Sequence, residues 1–499
     1  MRSREFDLLV VGAGATGLAA ARTARAAGRS VALVEAARPG GDCTHHGCVP
    51  SKTLLDVAHR VSAARQGHRY GVGEPGPVDF ARVMRHVADV IAEVEQDESP
   101  DLLRREGIDL LTGWARFVDT SAERSTVDVD GSRVRARRVV LASGAHAAVP
   151  PVDGLADVPH LSNATVFDLR EQPGHLLLMG GGAIGVELAQ AFAGLGTPVT
   201  LVEGADRILG KEEPEVSAVM TRVLTGQGVD VRTGAQVTSA RPGPDGAVVL
   251  TLADGAQVSG SHLLVAVGRR PATTGLDLDR VGIRTGPGGA VVTDSQLRTT
   301  APGVWAAGDC TTPLQFTHVG DAQGRLAAAN AFARGGRTDK LGGLLGGLLG
   351  GSGTFDPRVT PWVTFTEPEV GRVGLTEAEA FARYGSRARV AVVTMAETDR
   401  ARTAASTEGY VKLVVGPRRV APHRLLDEVV GLTAVSPHGG ELAHTAALAM
   451  RTRMLAARLA QTVAPYPTYS LALRIAAARL FGTVGGQTWR PARAEPAAG

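Results

Sequence analysis

A glycine-rich turn near the N-terminus constrains the fold more than any other feature of the sequence. Residues 6–11 are apolar enough for a buried strand, and a helix rich in alanine is predicted to follow the turn. The turn carries glycine at the three positions of the dinucleotide-binding fingerprint, Gly12, Gly14 and Gly17. The next predicted strand ends in Glu35, where a carboxylate accepts hydrogen bonds from a ribose diol. This pattern predicts a parallel α/β unit that binds a dinucleotide.

The same pattern recurs later in the chain. A strand at 176–179 leads into a second glycine turn, and the strand after it ends in Glu203. The step from Gly12 to Gly180 equals the step from Glu35 to Glu203. The glycines of the second turn are Gly180, Gly182 and Gly185. Two such units predict two dinucleotide sites in one protein.

Two of the three cysteines lie close together directly after the first unit. Four residues separate Cys43 from Cys48, and the glycines around them let the backbone bring both sulfurs within disulfide distance. Pro50 suits the first turn of a helix, so Cys48 is expected at a helix N-terminus, where the backbone dipole favours a thiolate. The pattern favours a redox pair over a structural disulfide or two buried thiols. Metal binding by these cysteines and the two histidines between them is a further alternative, but the spacing matches no zinc pattern.

Composition and charge argue against several classes of protein. A chain of 499 residues suggests about three domains. A net charge of +3 and an aromatic content of 4% argue against nucleic-acid binding. Three cysteines are too few for a disulfide scaffold, and no secretory signal is recognisable, so a cytoplasmic protein is predicted. The apolar run 8–21 is too short for a membrane span, and no metal site is predicted.

The rest of the chain divides into recognisable parts. Apolar residues on one face predict a single long helix over 79–106. A repeat of glycine and leucine within 336–354 is interpreted as a flexible insertion. Alternating strands followed by helices predict an α+β domain over 355–484. The tail 485–499 is rich in Gly, Pro and Ala and is predicted to be disordered.

Together the motifs resemble those of the flavoprotein disulfide reductases, in the pyridine nucleotide–disulfide oxidoreductase family. The match in motif order covers roughly residues 5–480. It comprises Cys43-x4-Cys48-Val-Pro-Ser-Lys52, both fingerprints, Gly268-Arg269-Arg270-Pro271 and Ala306-Ala307-Gly308-Asp309. The resemblance implies an α/β protein with two Rossmann-like domains, which would bind FAD (1–150 with 270–335) and NAD(P) (151–269). The third domain would be the dimerisation domain of a homodimer.

The resemblance also implies cofactor-binding residues. Asp309 would hold the ribityl chain of FAD. Glu203 would bind the ribose of the nicotinamide cofactor and favour NADH, because a carboxylate repels a 2′-phosphate. Arg207 lies close enough to weaken that preference, so NADPH stays possible. The other predicted cofactor-binding residues are Gly12, Gly14, Gly17, Glu35, Gly41, Asp42, Ser143, Gly144, Gly180, Gly182, Gly185, Gly268 and Arg269.

Catalytic roles follow from the same resemblance. Cys48 would lie against the flavin as the thiolate, and Cys43 would be the outer thiol that meets the acceptor. Lys52 would sit near the flavin and pair with Glu187, although an ordinary ion pair is an alternative interpretation. Cys310 is interpreted as a small buried residue.

The C-terminal domain departs from the pattern of disulfide-reducing members. Their motif contains a histidine that reaches the partner subunit's cysteines as an acid–base catalyst. This chain has Tyr466 at that place, and a tyrosine with a pKa of ~10 is a poor base at neutral pH. Mercuric reductases lack that histidine too, but carry paired C-terminal cysteines that are absent here. His45 and His46 are interpreted as solvated loop residues.

The sequence therefore predicts an FAD-dependent NAD(P)H oxidoreductase. Electrons would pass from nicotinamide through flavin to the Cys43–Cys48 disulfide. A small-molecule acceptor would follow, either a disulfide or a thiol-bound metal such as Hg(II). Alternatives are direct reduction of quinones or oxygen by the flavin, and a redox-sensing or partner-binding flavoprotein with little turnover.

Overall fold

A computed structural model describes residues 5–73, 76–311, 314–333, 353–418 and 426–494. Nearly all of the predicted glycine–leucine insertion and the end of the predicted tail, residues 495–499, lie outside the described residues.

The N-terminal part is a sheet flanked by helices. Its elements are β1 (Glu5–Val11), α1 (Ala15–Ala26), β2 (Val31–Glu35), α2 (Gly41–His45), α3 (Cys48–Gln66), α4 (Phe80–Glu95), α5 (Pro100–Arg105), β3 (Ile108–Thr112), β4 (Ala115–Thr120), β5 (Ser125–Val129), β6 (Ser132–Leu141) and β7 (Ala145–Ala147). The strand order is β3-β2-β1-β6-β5-β4, parallel from β3 to β6 and antiparallel from β6 to β4. Strands β1 and β2 are covered on both faces, which explains their unbroken apolar runs.

The helix predicted over 79–106 is in fact two helices. Helix α4 ends at Glu95, and α5 begins at Pro100. Ser99 caps α5, because its side chain accepts a hydrogen bond from the Leu102 amide at 3.4 Å. Proline has no amide hydrogen and suits a first helical turn, so the chain restarts a helix there instead of continuing one.

The second unit repeats the first in a smaller form. Its elements are β8 (Leu176–Met179), α6 (Ala183–Gly194), β9 (Val199–Val202), α7 (Pro214–Gly226), β10 (Asp230–Arg232), β11 (Val237–Pro242), β12 (Val248–Leu252), β13 (Gln257–Gly260), β14 (His262–Val265) and β15 (Arg269–Pro271). A parallel sheet, β10-β9-β8-β14, lies beside an antiparallel one, β11-β12-β13. Strand β15 pairs with β7 and so returns the chain to the first unit.

One strand and one helix complete the first unit before the third domain begins. Strand β16 (Val304–Ala306) pairs in parallel with β6, and α8 (Thr317–Ala331) packs against α1. A Cβ on Gly324 would lie 2.2 Å from the Thr16 carbonyl oxygen, so the two helices approach backbone to backbone.

The C-terminal domain is built on an antiparallel sheet. Its elements are β17 (Pro361–Thr364), β18 (Glu369–Gly374), α9 (Glu377–Tyr384), β19 (Arg389–Thr394), α10 (Asp399–Thr403), β20 (Tyr410–Gly416), β21 (Glu428–Ser436), α11 (Gly439–Arg451), α12 (Ala456–Gln461), α13 (Ser470–Arg479) and β22 (Arg490–Pro491). The strand order is β17-β18-β21-β20-β19-β22.

The prediction of a disordered tail is wrong for residues 485–494. Strand β22 extends the sheet by pairing with β19, and Ala492 is buried. The Arg490 guanidinium lies against Glu377, with Nη2 2.8 Å from Oε2. A buried charge partner therefore orders a segment whose composition alone indicated disorder.

Helices α3 and α6 bring the first two units together. They approach closely because small residues meet, and a Cβ on Gly194 would lie 3.2 Å from the Ala58 Cβ. This packing places Lys52 of α3 beside Glu187 of α6. None of the helices in the described part of the chain has both the length and the apolar character needed to cross a bilayer.

Candidate functional site

The first glycine turn has the geometry that the fingerprint requires. Gly12 has a φ of 100°, and a Cβ there would lie 2.3 Å from the Ala142 carbonyl oxygen. A Cβ on Gly17 would lie 1.8 Å from the Gly12 carbonyl oxygen. Only glycine fits either position. Glu35 closes the turn, because its Oε2 accepts a hydrogen bond from the Ala13 amide at 2.8 Å.

The second turn reproduces this geometry atom for atom. A Cβ on Gly180 would lie 2.6 Å from the Ala266 carbonyl oxygen, and one on Gly185 would lie 1.9 Å from the Gly180 carbonyl oxygen. Glu203 accepts from the Gly181 amide at 2.6 Å. Its other oxygen accepts from the Ala205 amide at 2.8 Å, just as Glu35 accepts from Ala37 at 2.9 Å. The two units therefore present equivalent binding edges.

Bare backbone lines the first turn where a pyrophosphate would approach. Gly14 begins α1 as its N-cap, and the Cα of Gly14 would lie 2.8 Å from a Cβ placed on Gly41. A helix N-terminus without side chains is well suited to hold phosphate groups. In the second turn Gly182 has the corresponding N-cap position on α6, with open space where a Cβ would be.

Three further predicted cofactor-binding residues follow strands of the parallel sheets: Ser143 and Gly144 follow β6, and Gly268 follows the edge strand β14. Gly144 has a φ of 74° with open space at its Cβ position. Gly268 precedes β15, and its carbonyl oxygen accepts from the Ala148 amide at 2.9 Å. All three lie at the carboxyl ends of strands, where ligands bind in open α/β sheets.

Arg269 lies between two carboxylates. Its Nη1 is 2.6 Å from Asp42 Oδ2, and its Nη2 is 3.5 Å from Asp309 Oδ2. Asn163 Nδ2 donates to the second carboxylate oxygen of Asp42 at 3.1 Å. Burial raises the pKa of Asp309, while the Arg269 charge opposes that rise. The Nε of Arg269 is buried and has no partner among the described residues, which leaves one donor for an anionic group.

Cys43 and Cys48 are brought together as free thiols at the start of α3. A hydrogen bond from the Cys43 thiol, followed by one from Thr317 and the charge of Lys52, lowers the pKa of Cys48 to about 6 against the opposing effect of burial. The same hydrogen bond, with burial, raises the pKa of Cys43 far above its usual range. Thr317 Oγ1 lies 3.2 Å from Cys48 Sγ. The pair is therefore a thiol that donates to a stabilised thiolate.

Lys52 and Glu187 form an ion pair next to this thiolate. Lys52 Nζ lies 2.9 Å from Glu187 Oε2, and the Glu187 side chain is only 6% exposed. The other oxygen of Glu187 accepts from the Phe365 amide at 2.8 Å, and Lys52 Nζ lies 4.5 Å from the centre of the Phe365 ring. These contacts fix the lysine where its charge favours an anion on Cys48.

Tyr466 is not brought to the redox pair within one chain. It lies in the third domain, 70% exposed, and its hydroxyl donates to Asp399 Oδ2 at 2.9 Å. This hydrogen bond raises the pKa of Tyr466, so the hydroxyl stays protonated at neutral pH. No hydrogen bond among the described residues joins it to Cys43 or Cys48.

The segment 40–48, which carries Cys43 and Cys48, is called the redox loop. Its two histidines are less exposed than the interpretation as solvated residues implied. His45 is 6% exposed, and its Nε2 is hydrogen-bonded to the Pro39 carbonyl oxygen at 2.8 Å. His46 is half-buried, and burial lowers its pKa. Cys310 is fully buried, and its Sγ lies 3.2 Å from the Ala307 carbonyl oxygen. His45 therefore supports the loop from within, His46 is only partly exposed, and Cys310 is a packing residue.

Three further residues contribute to the site but belong to none of the sequence motifs. Thr317 contacts the thiolate, Asn163 holds Asp42, and Phe365 covers Lys52. Each comes from a segment remote from the redox loop. Thr317 is the first residue of α8, and helix N-termini favour nearby anions, but the sequence analysis did not single it out.

Comparison with known proteins agrees with this geometry. The family model "Pyridine nucleotide-disulphide oxidoreductase" matches residues 6–325, and its dimerisation domain matches residues 360–477. A mercuric reductase of Streptomyces lividans is 35% identical over 477 residues, which are 95% of each chain. The structure of LpdA from Mycobacterium tuberculosis superposes with a TM-score of 0.82 at 28% identity, over 95% of this chain and 100% of that one. The structure titled as the Cu(II) complex of the HOCl-induced flavoprotein disulfide reductase RclA from Escherichia coli gives a TM-score of 0.79 at 28% identity, over 94% and 98% of the chains.

This chain belongs to the pyridine nucleotide–disulfide oxidoreductase family, as its motifs indicated. The predicted fold class is confirmed: two dinucleotide-binding domains and a C-terminal dimerisation domain. The family uses FAD and NAD(P)H, and the bare turns, the two acids and the free donor of Arg269 fit such cofactors. The matched dimerisation domain supports a homodimer.

Proposed function

We propose that the protein is an NAD(P)H-dependent flavoprotein that passes electrons through Cys43 and Cys48 to a thiol-bound metal ion of the Hg(II) type. Bound FAD would supply the hydride-accepting chemistry that links nicotinamide to the two sulfurs. One NADH carries two electrons, which would reduce one Hg(II) held by two thiolates to the metal, with release of NAD⁺, one thiol and one thiolate. This balance needs no other reductant.

The two glycine turns would divide the cofactors between them. The first turn, with Glu35, Gly41, Ser143, Gly144, Asp309 and Arg269, would hold FAD. The second turn, with Glu203 and Gly268, would hold the nicotinamide cofactor. Because Glu203 presents a carboxylate where a 2′-phosphate would lie, NADH is the favoured donor. Arg207 could weaken this preference, because its hydrogen bond from Nη2 to the neutral Gly210 carbonyl oxygen at 2.9 Å does not neutralise its charge, and its Nη1 is buried without a partner among the described residues.

The observation that carries the proposal is the asymmetry of the two sulfurs. Cys48 is a stabilised thiolate held by Thr317 and faced by Lys52, and Cys43 carries the proton. A thiolate is the form that binds thiophilic metals and attacks disulfides. The inner sulfur is thus held as the anion, and the outer thiol would pass its proton to the thiolate that leaves the acceptor when the two exchange.

Tyr466 supports a metal over a disulfide as the acceptor. Reduction of a disulfide leaves a thiolate that needs a proton, and a buried or paired histidine is the usual source. Tyr466 donates to Asp399 and has a raised pKa, so it is a weak acid for that step. A metal ion that arrives on thiols needs sulfur exchange and electrons, not a nearby base. The relative named mercuric reductase is consistent with this choice, and the Cu(II) complex titled for RclA makes copper a second candidate metal.

An anaerobic titration of the purified yellow protein with NADH tests the electron path. If the cysteines are in the path, the protein takes up a second electron pair beyond that held by the flavin, with a long-wavelength absorbance band after the first. Uptake of one pair with simple bleaching would contradict the proposal.

Steady-state oxidation of NADH then identifies the acceptor. We expect turnover with Hg(II) presented as a thiol complex, weaker or no turnover with disulfides, and loss of turnover in Cys43→Ser and Cys48→Ser. Cys310→Ser is the matched control, since this third cysteine is fully buried and its sulfur contacts the Leu141 and Ala307 carbonyl oxygens. Full turnover in Cys43→Ser would instead indicate direct reduction of the acceptor by the flavin. Rapid bleaching without turnover on any acceptor would favour a sensing role.

A further inference from the structure

Asp42 is a predicted cofactor-binding residue, and both of its carboxylate oxygens have protein partners in the structure. Oδ2 pairs with Arg269 at 2.6 Å, and Oδ1 accepts from Asn163 at 3.1 Å. A carboxylate is also a poor neighbour for a pyrophosphate, since like charges repel strongly where water is scarce. Its partners must therefore explain why a charged residue stands at this position.

The partners of Asp42 come from two distant parts of the chain. Arg269 begins β15, and Asn163 lies in the segment that leads into the second unit. The Arg269 side chain is 13% exposed, and its Nη2 also donates to the Ala145 carbonyl oxygen at 2.9 Å. Asn163 is buried, and its Nδ2 lies 3.4 Å from the His46 carbonyl oxygen. Both partners are thus held by groups other than Asp42.

The redox loop is consequently fixed on both sides of Cys43. Asp42, the residue directly before Cys43, is held by Arg269 and Asn163, and Asn163 also holds His46, three residues after it. Between them lies α2, a helix of only five residues, which has little stability of its own. Tertiary contacts therefore decide where the Cys43 sulfur lies.

We propose that Asp42 and Asn163 are positioning residues that hold Cys43 in hydrogen-bond contact with Cys48. This inference rests on the proposed redox role of the two cysteines. It adds that the buried network of Asp42, Asn163 and Arg269 keeps the outer thiol aimed at the inner thiolate. Loosening the network would weaken that hydrogen bond and make the thiolate less stable.

The direction in which the ionisation of Cys48 changes distinguishes a positioning role of Asp42 from a purely electrostatic one. Removing the negative charge of Asp42 would by itself favour an anion nearby and make Cys48 easier to ionise. Loss of the Cys43 hydrogen bond has the opposite effect. Asp42→Asn removes the charge and Asn163→Ala does not. If both residues position Cys43, however, both substitutions should make Cys48 harder to ionise.

The experiment measures how fast iodoacetamide alkylates the reduced FAD-loaded protein as a function of pH. In both variants we expect the midpoint of the low-pH alkylation profile to rise by about one pH unit, the effect of losing one hydrogen bond to a charged group. The affinity for FAD should change by less than about threefold. Asp101→Asn is the control, because it removes an equally charged carboxylate from an exposed surface pair with Arg104.

Three results would overturn the inference. A midpoint that falls in Asp42→Asn and stays unchanged in Asn163→Ala would show that Asp42 acts through its charge alone. An unchanged midpoint together with FAD affinity more than about tenfold weaker would make Asp42 a cofactor ligand. An unchanged midpoint and affinity in both variants would show that the network does not position Cys43. A wild-type protein without a low-pH thiol would instead contradict the redox role on which the inference rests.

Discussion

The Cys48 sulfur lies 3.2 Å from the Thr317 hydroxyl, which joins the start of α3 to the start of α8. The hydroxyl donates to the thiolate and adds to the larger effect of the Cys43 thiol in lowering the pKa of Cys48 to about 6. The contact links the redox pair to the helix that packs on α1, the helix of the first glycine turn. Helix α8 thus connects the redox pair to the first glycine turn.

Thr317→Val should make the Cys48 thiolate less stable. The variant keeps the shape of the side chain and removes one hydrogen bond to a charged sulfur, so a rise of about one unit in the Cys48 pKa should slow alkylation at pH 6.5 about threefold. Iodoacetamide kinetics from pH 5 to pH 9 measure this change. Thr53→Val is a matched control, because Thr53 lies in the same helix as Cys48 and its hydroxyl donates to the Val49 carbonyl oxygen at 2.8 Å. A profile that matches the wild type would show that the hydroxyl does not stabilise the anion.

Lys412→Met should destabilise the contact between the second and third domains. Lys412 is buried among Glu213, Glu215 and Glu377, with Nζ 2.6 Å from Glu215 Oε1 and 3.1 Å from Glu377 Oε2. These acidic groups lie within 4.8 Å of one another, so without the lysine their charges would repel in a poorly hydrated site.

Urea denaturation should show this loss. Removing one partner of a buried ion pair costs about 3–5 kcal/mol of the free energy of unfolding. Lys211→Met is the control, because Lys211 is exposed in the same segment as the glutamates. A loss below about 1 kcal/mol would mean that the cluster relaxes by taking up a proton or water.

Glu203→Gln should weaken the preference for NADH. The carboxylate is held by the Gly181 and Ala205 amides, so its position at the end of β9 is fixed. Its charge should therefore repel a 2′-phosphate, and the neutral amide should lower the ratio of kcat/KM for NADH over NADPH about tenfold. Asp206→Asn, an exposed change three residues away, should leave that ratio unaltered. An NADPH preference in the wild type would contradict the argument.

The two glycine turns and the helix that begins at Cys48 could be predicted because residues close together in the sequence specify them. A side chain at Gly17 would meet the Gly12 carbonyl oxygen within the same turn, whereas the collision at Gly12 is with Ala142 of a distant segment and only the fingerprint reports it.

The break at Pro100 was missed because the polar segment 95–101 was interpreted as the continuation of the helix, although its apolar pattern ends at Val94 and Pro100 suits the start of a new one. The order of the tail was missed because it depends on the pairing of Arg490 with Glu377, more than a hundred residues distant.

The supporting residues of the site could not be predicted for the same reason. Thr317, Asn163 and Phe365 are ordinary residues in ordinary segments, and only the fold brings them to Cys48, Asp42 and Lys52. A motif reports residues whose spacing is fixed along the chain. It cannot report contacts that depend on how separate units pack.

Glu369 gives a prediction about pH and stability. Burial raises the pKa of Glu369 to about 7, although the Gly440 amide donates to its Oε2 at 2.9 Å and opposes that rise. The folded protein therefore keeps a proton on Glu369 between the unfolded value near 4.5 and about 7. The contribution of this group to stability is fully present below pH 4.5 and is lost as the pH rises through 7.

Glu369→Gln should remove this dependence, because the amide imitates the protonated acid and its oxygen can still accept from Gly440. We expect the variant to be more stable than the wild type by about 1–2 kcal/mol at pH 8, after allowance for the partial exposure of the side chain, and equal to it at pH 4.5. Urea denaturation at several pH values measures the difference. Glu441→Gln is the matched control: this neighbouring carboxylate is exposed, and only its repulsion of Glu369 should change. A difference that is constant from pH 4.5 to pH 8 would mean that Glu369 is ionised throughout and that its effect on stability is one of packing.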